Sequence, residues 1–190
     1  MRHSMTLRLI LPILLAAALS AQAFSALSVG DKAREFALTS LQGGTVRLSD
    51  ELRGGPVVLV LLRGWPGYQC PFCTRQFADY LGHATDLEKT GARVVFVYPG
   101  PTDGLKEHAD AFTDSREMPA SFTFLLDPNY AFTDAYGLRW DARGETAYPS
   151  TFILDTTGTV KFARTSKNHG DRVPVVDVLK ALAGIPRNVG

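Results

Sequence analysis

Residues 56–73 read PVVLVLLRGWPGYQCPFC and combine a strand, a loop and a reactive pair of cysteines. The run at 56–62 is entirely apolar, which is typical of a strand buried on both faces. The loop at 63–69 follows, and Cys70 and Cys73 then begin a stretch of helical periodicity. We therefore predict a buried strand at the centre of a sheet, leading through a short loop into a helix that carries both cysteines in its first turn.

The chain continues this alternation. Apolar residues recur at spacings of three and four after the cysteines until Gly91, and residues 93–97 (RVVFV) then predict a second buried strand. A strand, a helix and a second strand joined by few residues form a right-handed crossover, which places ligands at the carboxyl ends of the strands. The loop at 63–69 lies at such an end.

The whole pattern predicts an α/β domain in the order β, β, β, α, β, α, β, α, β, β, α. The remaining predicted elements are an N-terminal hairpin at 36–40 and 45–48, a helix at 104–113, a strand at 122–126, a short helix at 130–136, a hairpin at 151–154 and 160–163, and a closing helix at 173–182.

Composition excludes several classes of protein. The 190 residues are 45% hydrophobic and 21% charged, which suits one globular domain. A formal charge of +1 provides no basic field for nucleic acid. The chain contains no G-x-S-x-G, no H-E-x-x-H, no phosphate loop and no dinucleotide fingerprint, so hydrolase and nucleotide-binding functions have no motif to support them.

The N-terminus has the pattern of an export signal. Arg2 and Arg8 give the N-terminus a basic start, and the apolar run LILPILLAAAL follows at 9–19. Ala21-Gln22-Ala23 then offers a small-x-small cleavage site. We predict a signal peptide at 1–23, a mature domain at 24–190, and a periplasmic or secreted protein without a membrane anchor after cleavage. Such a compartment permits disulfides.

The two cysteines are the only ones in the chain, and their spacing predicts a redox pair. Cysteines three residues apart at a helix start lie on one face, and the free N–H groups and the helix dipole favour a thiolate. A permanent structural disulfide is the alternative. A metal site is not expected, because the histidines of the mature domain lack ligand spacing, and no cofactor is implied.

These residues, together with YPSTFILD at 148–155, resemble the alkyl hydroperoxide reductase/thiol-specific antioxidant (AhpC/TSA) group of peroxiredoxin-like redoxins. The resemblance implies a thioredoxin-like fold, a central mixed sheet flanked by helices, and antioxidant activity. Pro66-x-x-x-Cys70-x-x-Cys73 matches the family's P-x-x-x-T-x-x-C, which implies that Cys73 attacks a hydroperoxide and Cys70 resolves it. Two departures are Cys70 in the place of the family's Thr and Pro149 in the place of its Arg.

The exported TlpA-like reductases offer a second resemblance, in which the first cysteine attacks a disulfide and a cis proline lies beside it. It implies that Cys70 is the nucleophile and that Pro149 is the cis proline. Either mechanism ends in a Cys70–Cys73 disulfide and needs a thiol reductant, either a thioredoxin-like protein or a low-molecular-weight thiol. A more distant alternative is a copper chaperone that uses both thiols and His169.

Other residues of the loop are candidates for support of the reaction. Arg63, at the end of the buried strand, is the cation that the sequence places best for stabilising developing charge, with Arg75 and Arg139 as alternatives. Trp65 and Tyr68 flank the cysteines, where they could form a substrate pocket or cap the edge of the core.

Overall fold

The structure is a computed structural model that describes residues 25–114 and 116–186. The predicted signal peptide at 1–23 lies outside these residues. Among the helices that are described, none combines the length and the apolar character needed to cross a bilayer.

The described residues form seven strands and six helices. The strands are β1 (Ala37–Ser40), β2 (Thr45–Arg47), β3 (Val57–Leu61), β4 (Arg93–Gly100), β5 (Phe122–Pro128), β6 (Ser150–Leu154) and β7 (Val160–Thr165). The helices are α1 (Leu48–Gly54), α2 (Pro71–Gly82), α3 (Ala84–Lys89), α4 (Leu105–Thr113), α5 (Ala131–Ala135) and α6 (Val175–Ala183).

All seven strands join one mixed sheet in the order β2-β1-β5-β4-β3-β6-β7. β3, β4 and β5 are parallel, whereas the other pairs are antiparallel. This arrangement confirms the predicted crossover, both hairpins and the mixed sheet. The central strand is β4 rather than β3, because β1 and β2 add to the far edge of the sheet through β5.

The sheet separates two apolar cores, because successive side chains of a strand point to opposite faces. Val58 and Val60 of β3 join the core that packs against α2, α3, α4 and α6. Leu59 and Leu61 join the second core, which contains residues of α1 and α5. Burial of β3 on both faces, predicted from its continuous apolar run, is confirmed.

Two details of the predicted element order were wrong. The chain forms α1 directly after β2, where no helix was expected, because a helix of seven residues is too short to show clear periodicity. The long helix expected up to Gly91 is divided into α2 and α3 at His83, whose backbone leaves the helical region at φ −108° and ψ 15°. Gly82, which has a low helix propensity, precedes the break.

The loop that leads from β3 to α2 is fixed against β4. The backbone N–H of Leu62 donates to Val97 O at 2.9 Å, and that of Trp65 donates to Pro99 O at 3.0 Å. Between them Gly64 has a φ of +70°, and a Cβ at this position would lie 1.8 Å from the carbonyl oxygen of Pro99. Only glycine fits here, both for its φ and for the close approach of the two backbones.

We expect Gly64→Ala to lower the free energy of unfolding by at least about 3 kcal/mol, because the strained φ and the clash with a backbone carbonyl add. The matched control is Gly67→Ala in the same loop, where φ is +109° and no atom lies within 4 Å of the added Cβ. That control should lose only about 1 kcal/mol, the cost of the strained φ. Urea unfolding of both variants makes the measurement, and equal losses would contradict this account of the loop.

Candidate active site

Cys70 and Cys73 lie at the start of α2, as the sequence predicted. Cys70 is the N-cap residue, Pro71 is the first helical residue, and Cys73 lies in the first turn. Both cysteines are free thiols. Both side chains are buried in this conformation, since Cys70 is 2% exposed and Cys73 is 1% exposed. The loop that precedes α2 folds back on β4 and contributes to this enclosure.

The sulfur of Cys73 lies deepest. It accepts a hydrogen bond from the backbone N–H of Arg63 at 3.3 Å and another from Nη2 of Arg172 at 3.3 Å. Burial, followed by its hydrogen bond to Cys70, raises the pKa of the Cys73 thiol well above its ordinary value, although Arg172 opposes this shift. Cys73 is therefore the protonated member of the pair at neutral pH.

Cys70 carries the thiolate. The hydrogen bond from Cys73, backbone N–H groups of Phe72 and Cys73, and the charge of Arg172 lower the pKa of Cys70 to about 5, against the opposing effect of burial. The Nη2 atom of Arg172 lies 4.0 Å from Cys70 Sγ. At neutral pH the site thus holds a thiolate on Cys70 beside a thiol on Cys73, the combination that a dithiol needs for attack and resolution.

Arg172 is the functional residue that sequence reasoning missed. It lies in the segment between β7 and α6, about a hundred positions after the cysteines, and it is the guanidinium whose contacts reach both sulfurs. No local pattern marks it, because only the order of strands in the folded sheet brings this segment beside the start of α2. Its Nε and Nη1 atoms are buried without a hydrogen-bond partner among the described residues.

The side chain of Arg63, the cation that the sequence favoured, binds Glu145 and Tyr68. This side chain is 1% exposed, its Nε donates to Glu145 Oε2 at 2.7 Å, and its Nη1 donates to the hydroxyl of Tyr68 at 2.6 Å. The guanidinium is thus bound within the fold, and only the backbone N–H of Arg63 contacts a sulfur.

Glu145 joins two segments of the site. Its second oxygen, Oε1, lies 3.0 Å from Nε2 of His169. Burial alone would raise the pKa of Glu145, but hydrogen bonds with Arg63 and His169 hold it below its ordinary value. The carboxylate therefore links the loop before α2 to the segment before α6 that carries Arg172.

The two aromatic residues of the loop differ in their burial. Trp65 packs on the apolar core and stacks on the ring of His108 with centroids 3.6 Å apart, so it caps the edge of the core. Tyr68 is 48% exposed and stays at the surface beside the cysteines. Pro66 is half-buried between them. The side chain of Gln69 ties the end of the loop to the fold, since its Nε2 donates to His108 O at 2.7 Å.

Pro149 is buried next to the start of the loop, because it directly precedes β6 and Ser150 pairs with Leu61 of β3. Every peptide bond among the described residues is trans, so the cis proline implied by the TlpA-like resemblance is absent there. Pro149 behaves as an ordinary proline at the start of a strand, where no ladder N–H is required.

The two alternative cations, Arg75 and Arg139, each lie over an aromatic ring. The guanidinium of Arg75 lies over the ring of Phe72 at 5.2 Å, and that of Arg139 lies over Tyr130 at 3.8 Å. Among the residues that the structure describes, no group of three or more His, Cys, Asp or Glu side chains could hold a metal ion. The ring of His169 contacts Glu145, which lends no support to the copper chaperone hypothesis.

Comparisons with known proteins agree with this geometry. A model of the AhpC/TSA family matches residues 29–163. A putative peroxiredoxin of Mycobacterium tuberculosis is 29% identical to this chain over 143 residues, which cover 73% of this chain and 85% of the relative.

Two crystal structures share the architecture. Peroxidoxin BcpB from Mycobacterium tuberculosis superimposes with a TM-score of 0.65 at 22% identity, covering 83% of this chain and 97% of that one, which is evidence of fold alone. A putative thiol:disulfide interchange protein DsbE from Chlorobium tepidum gives a TM-score of 0.61 at 28% identity, covering 83% and 99%. The sheet order, the cysteine pair at the start of α2 and these matches lead to one conclusion: the chain belongs to the AhpC/TSA family and is a thiol-dependent oxidoreductase with a thioredoxin-like fold.

Proposed function

We propose that the protein reduces small hydroperoxides with the Cys70–Cys73 dithiol, and that Cys70 is the attacking residue. The observation that carries this proposal is the position of Cys70 at the N-cap of α2, where the hydrogen bond from Cys73 and backbone N–H groups of Phe72 and Cys73 lower the pKa of its thiol, whereas burial raises the pKa of Cys73. This order is the reverse of the one that the family spacing implied, because Cys70 stands where the family has Thr.

The reaction balances when one proton is taken from solvent. The thiolate of Cys70 attacks the terminal oxygen of the hydroperoxide, the O–O bond breaks, and the released alkoxide takes up a proton to become an alcohol. Cys70 is then a sulfenic acid. The thiol of Cys73 condenses with it, which forms the Cys70–Cys73 disulfide and releases water. Arg172, within hydrogen-bond reach of Cys73 and 4.0 Å from Cys70, stabilises the charge that moves between sulfur and oxygen.

The enclosure of the sulfurs favours a small substrate. A protein disulfide must align its own two sulfurs with the attacking thiolate, which requires open surface around that thiolate. Cys70 is only 2% exposed, so a hydroperoxide needs much less opening of the loop than a protein does. The match to a putative peroxiredoxin of Mycobacterium tuberculosis supports the same choice.

Thiol–disulfide exchange is the second candidate. It is favoured by the low pKa of Cys70, which is the first cysteine of the pair, and by the likeness to a putative thiol:disulfide interchange protein. In that reaction Cys70 forms a mixed disulfide with the substrate, and Cys73 displaces the substrate thiol to leave the same intramolecular disulfide. In both reactions a thiol reductant, either a thioredoxin-like protein or a low-molecular-weight thiol, restores the dithiol.

The ionisation of Cys70 gives a pH prediction. Because the pKa of Cys70 is lowered to about 5, its thiolate is present above that pH and is lost as the pH falls through it. Ultraviolet thiolate absorbance of the reduced protein should therefore titrate with a midpoint near pH 5. Cys73→Ala removes the hydrogen bond that contributes most to the shift, and should move the midpoint upward.

The matched control for that titration is Arg53→Gln, since Arg53 is an exposed arginine of α1 that pairs with Asp50. Its midpoint should equal that of the wild type. A wild-type midpoint near the ordinary value for a thiol would refute the assignment of the thiolate to Cys70.

Single-cysteine variants test the order of attack and the substrate together. Cys70→Ser should slow the reaction with hydrogen peroxide at least a hundredfold, because the remaining Cys73 is buried and protonated. Cys73→Ser keeps a hydrogen-bond donor beside Cys70, so it should retain the rate of attack within about threefold and stop at the sulfenic acid. Stopped-flow fluorescence and trapping of sulfenic acid make these measurements.

The same variants, mixed with a model disulfide, decide between the two candidates. We expect the wild type to react at least tenfold faster with hydrogen peroxide than with the disulfide. The reverse ratio would establish thiol–disulfide exchange instead, and a fast Cys70→Ser variant would restore Cys73 as the attacking residue.

Export is part of the proposal, supported by the basic start, the apolar run and the Ala21-Gln22-Ala23 sequence of the N-terminus. When the full chain is expressed in a bacterium with a periplasm, we expect the mature protein to begin at Phe24 and to appear in the periplasmic fraction. Mass spectrometry of the purified protein determines its N-terminus. Ala23→Lys should block cleavage. A purified wild-type protein that still begins at Met1 would contradict the prediction.

A further inference from the structure

A groove lies directly beside the cysteine pair, between α2 and the segment that precedes α6. We call it the α2 groove and define it by Phe72, Arg75, Gln76 and Asp79 on one side and by Gly170 and residues 172–174 on the other. Its volume is about 460 Å³, within the range of pockets that bind small molecules. The proposed redox step uses Arg172 alone among these residues.

The α2 side of the groove is one face of a helix. Its four residues recur at positions i, i+3, i+4 and i+7, so they form a line that leads away from the cysteines. Phe72 comes first, with its ring 38% exposed and the guanidinium of Arg75 at 5.2 Å. Asp79 comes last, where Oδ2 accepts the backbone N–H of Val175 at 3.3 Å.

Two side chains of the groove have buried polar atoms without a hydrogen-bond partner among the described residues. Gln76 is 7% exposed, and its Oε1 has no hydrogen-bond partner among the described residues. The Nε and Nη1 atoms of Arg172 are likewise buried and unpartnered. Buried polar atoms are nearly always hydrogen-bonded, so each unsatisfied atom requires an explanation. A ligand that brings both an anion and an amide would satisfy them.

The order of chemical groups along the groove identifies such a ligand. Cations at Arg172 and Arg75 suit a carboxylate, and the carboxamide of Gln76 suits a peptide group because it offers both donors and an acceptor. The carboxylate of Asp79 suits an ammonium group. We propose that the α2 groove binds a small zwitterionic peptide thiol, with its peptide group on Gln76 and its sulfur directed toward the cysteine pair.

This proposal rests on the proposed function, for which it supplies the reductant. The thiolate of the first ligand molecule attacks Cys70 in the Cys70–Cys73 disulfide, which forms a mixed disulfide and releases Cys73 as a thiolate. A second molecule attacks the ligand sulfur of that mixed disulfide. The products are the protein dithiol and the disulfide of the ligand, so two electrons and two protons pass from two thiols to the protein.

A binding experiment that needs no redox chemistry tests the groove. The probe is S-methylglutathione, a peptide with two carboxylates and an ammonium group whose sulfur is blocked. Calorimetric titration into the reduced wild-type protein should show saturable binding at one site. The dimethyl ester of the same probe lacks the carboxylates, and should bind at least tenfold more weakly.

Variants locate the site. Gly170→Val should abolish binding by filling the groove, since a Cβ at Gly170 already lies 3.3 Å from the ring of Phe72. Gln76→Leu keeps the side-chain volume but removes the carboxamide, and should weaken binding at least tenfold. Arg75→Gln should also weaken it. Arg53→Gln, on the distant helix α1, is the matched control and should bind as the wild type does.

The outcomes separate the two proposals. Absence of saturable binding, or binding that survives both Gly170→Val and Gln76→Leu, would refute the proposal that the groove is the binding site. The variants could abolish binding while glutathione still fails to reduce the Cys70–Cys73 disulfide of the wild type. That result would support the groove as a binding site and refute its role as the entry site of the reductant. If glutathione reduces the wild-type disulfide at least tenfold faster than that of Gly170→Val, while dithiothreitol reduces both equally, both parts of the inference hold.

Discussion

The hydrogen bond between Cys73 and Cys70 determines how this site divides its chemistry. Because Cys73 is buried and keeps its proton, it can donate to Cys70 and hold the charge there, which is the largest cause of the lowered pKa of Cys70. Two identical side chains in one helical turn thereby become an attacking thiolate and a resolving thiol. The difference arises from helix position and the hydrogen bonds that go with it, since Cys70 is the N-cap residue and Cys73 lies in the first turn.

That arrangement is maintained by contacts far apart in the sequence. Glu145 pairs with the buried guanidinium of Arg63 and with His169, so it fixes the loop before α2 and the segment before α6 relative to each other. Removing one partner of a buried ion pair is costly, because the other charge is left without compensation. Arg172 lies three residues after His169, so the contact between Glu145 and His169 helps to hold the segment that carries Arg172.

The sequence predicted the parts of this structure that depend on local pattern. Periodicity and spacing predicted the buried strand β3, the crossover into α2 and the position of both cysteines. These features depend on residues that are close together in the sequence. The sequence could place Arg63 at the end of a buried strand but could not show that Glu145 binds its guanidinium, because the two residues are 82 positions apart. Arg172 could not be found, since its approach to the cysteines depends on the order of strands in the sheet.

Oxidation changes the balance of forces that keeps the sulfurs enclosed. A Cys70–Cys73 disulfide carries no charge, so its formation removes the Cys70 thiolate that lies 4.0 Å from Nη2 of Arg172 in the dithiol protein. Two further nitrogens of that guanidinium already lack partners, and an uncompensated buried cation is unfavourable. The segment that carries Arg172 also forms one wall of the α2 groove, so the cysteine pair and the groove share its guanidinium.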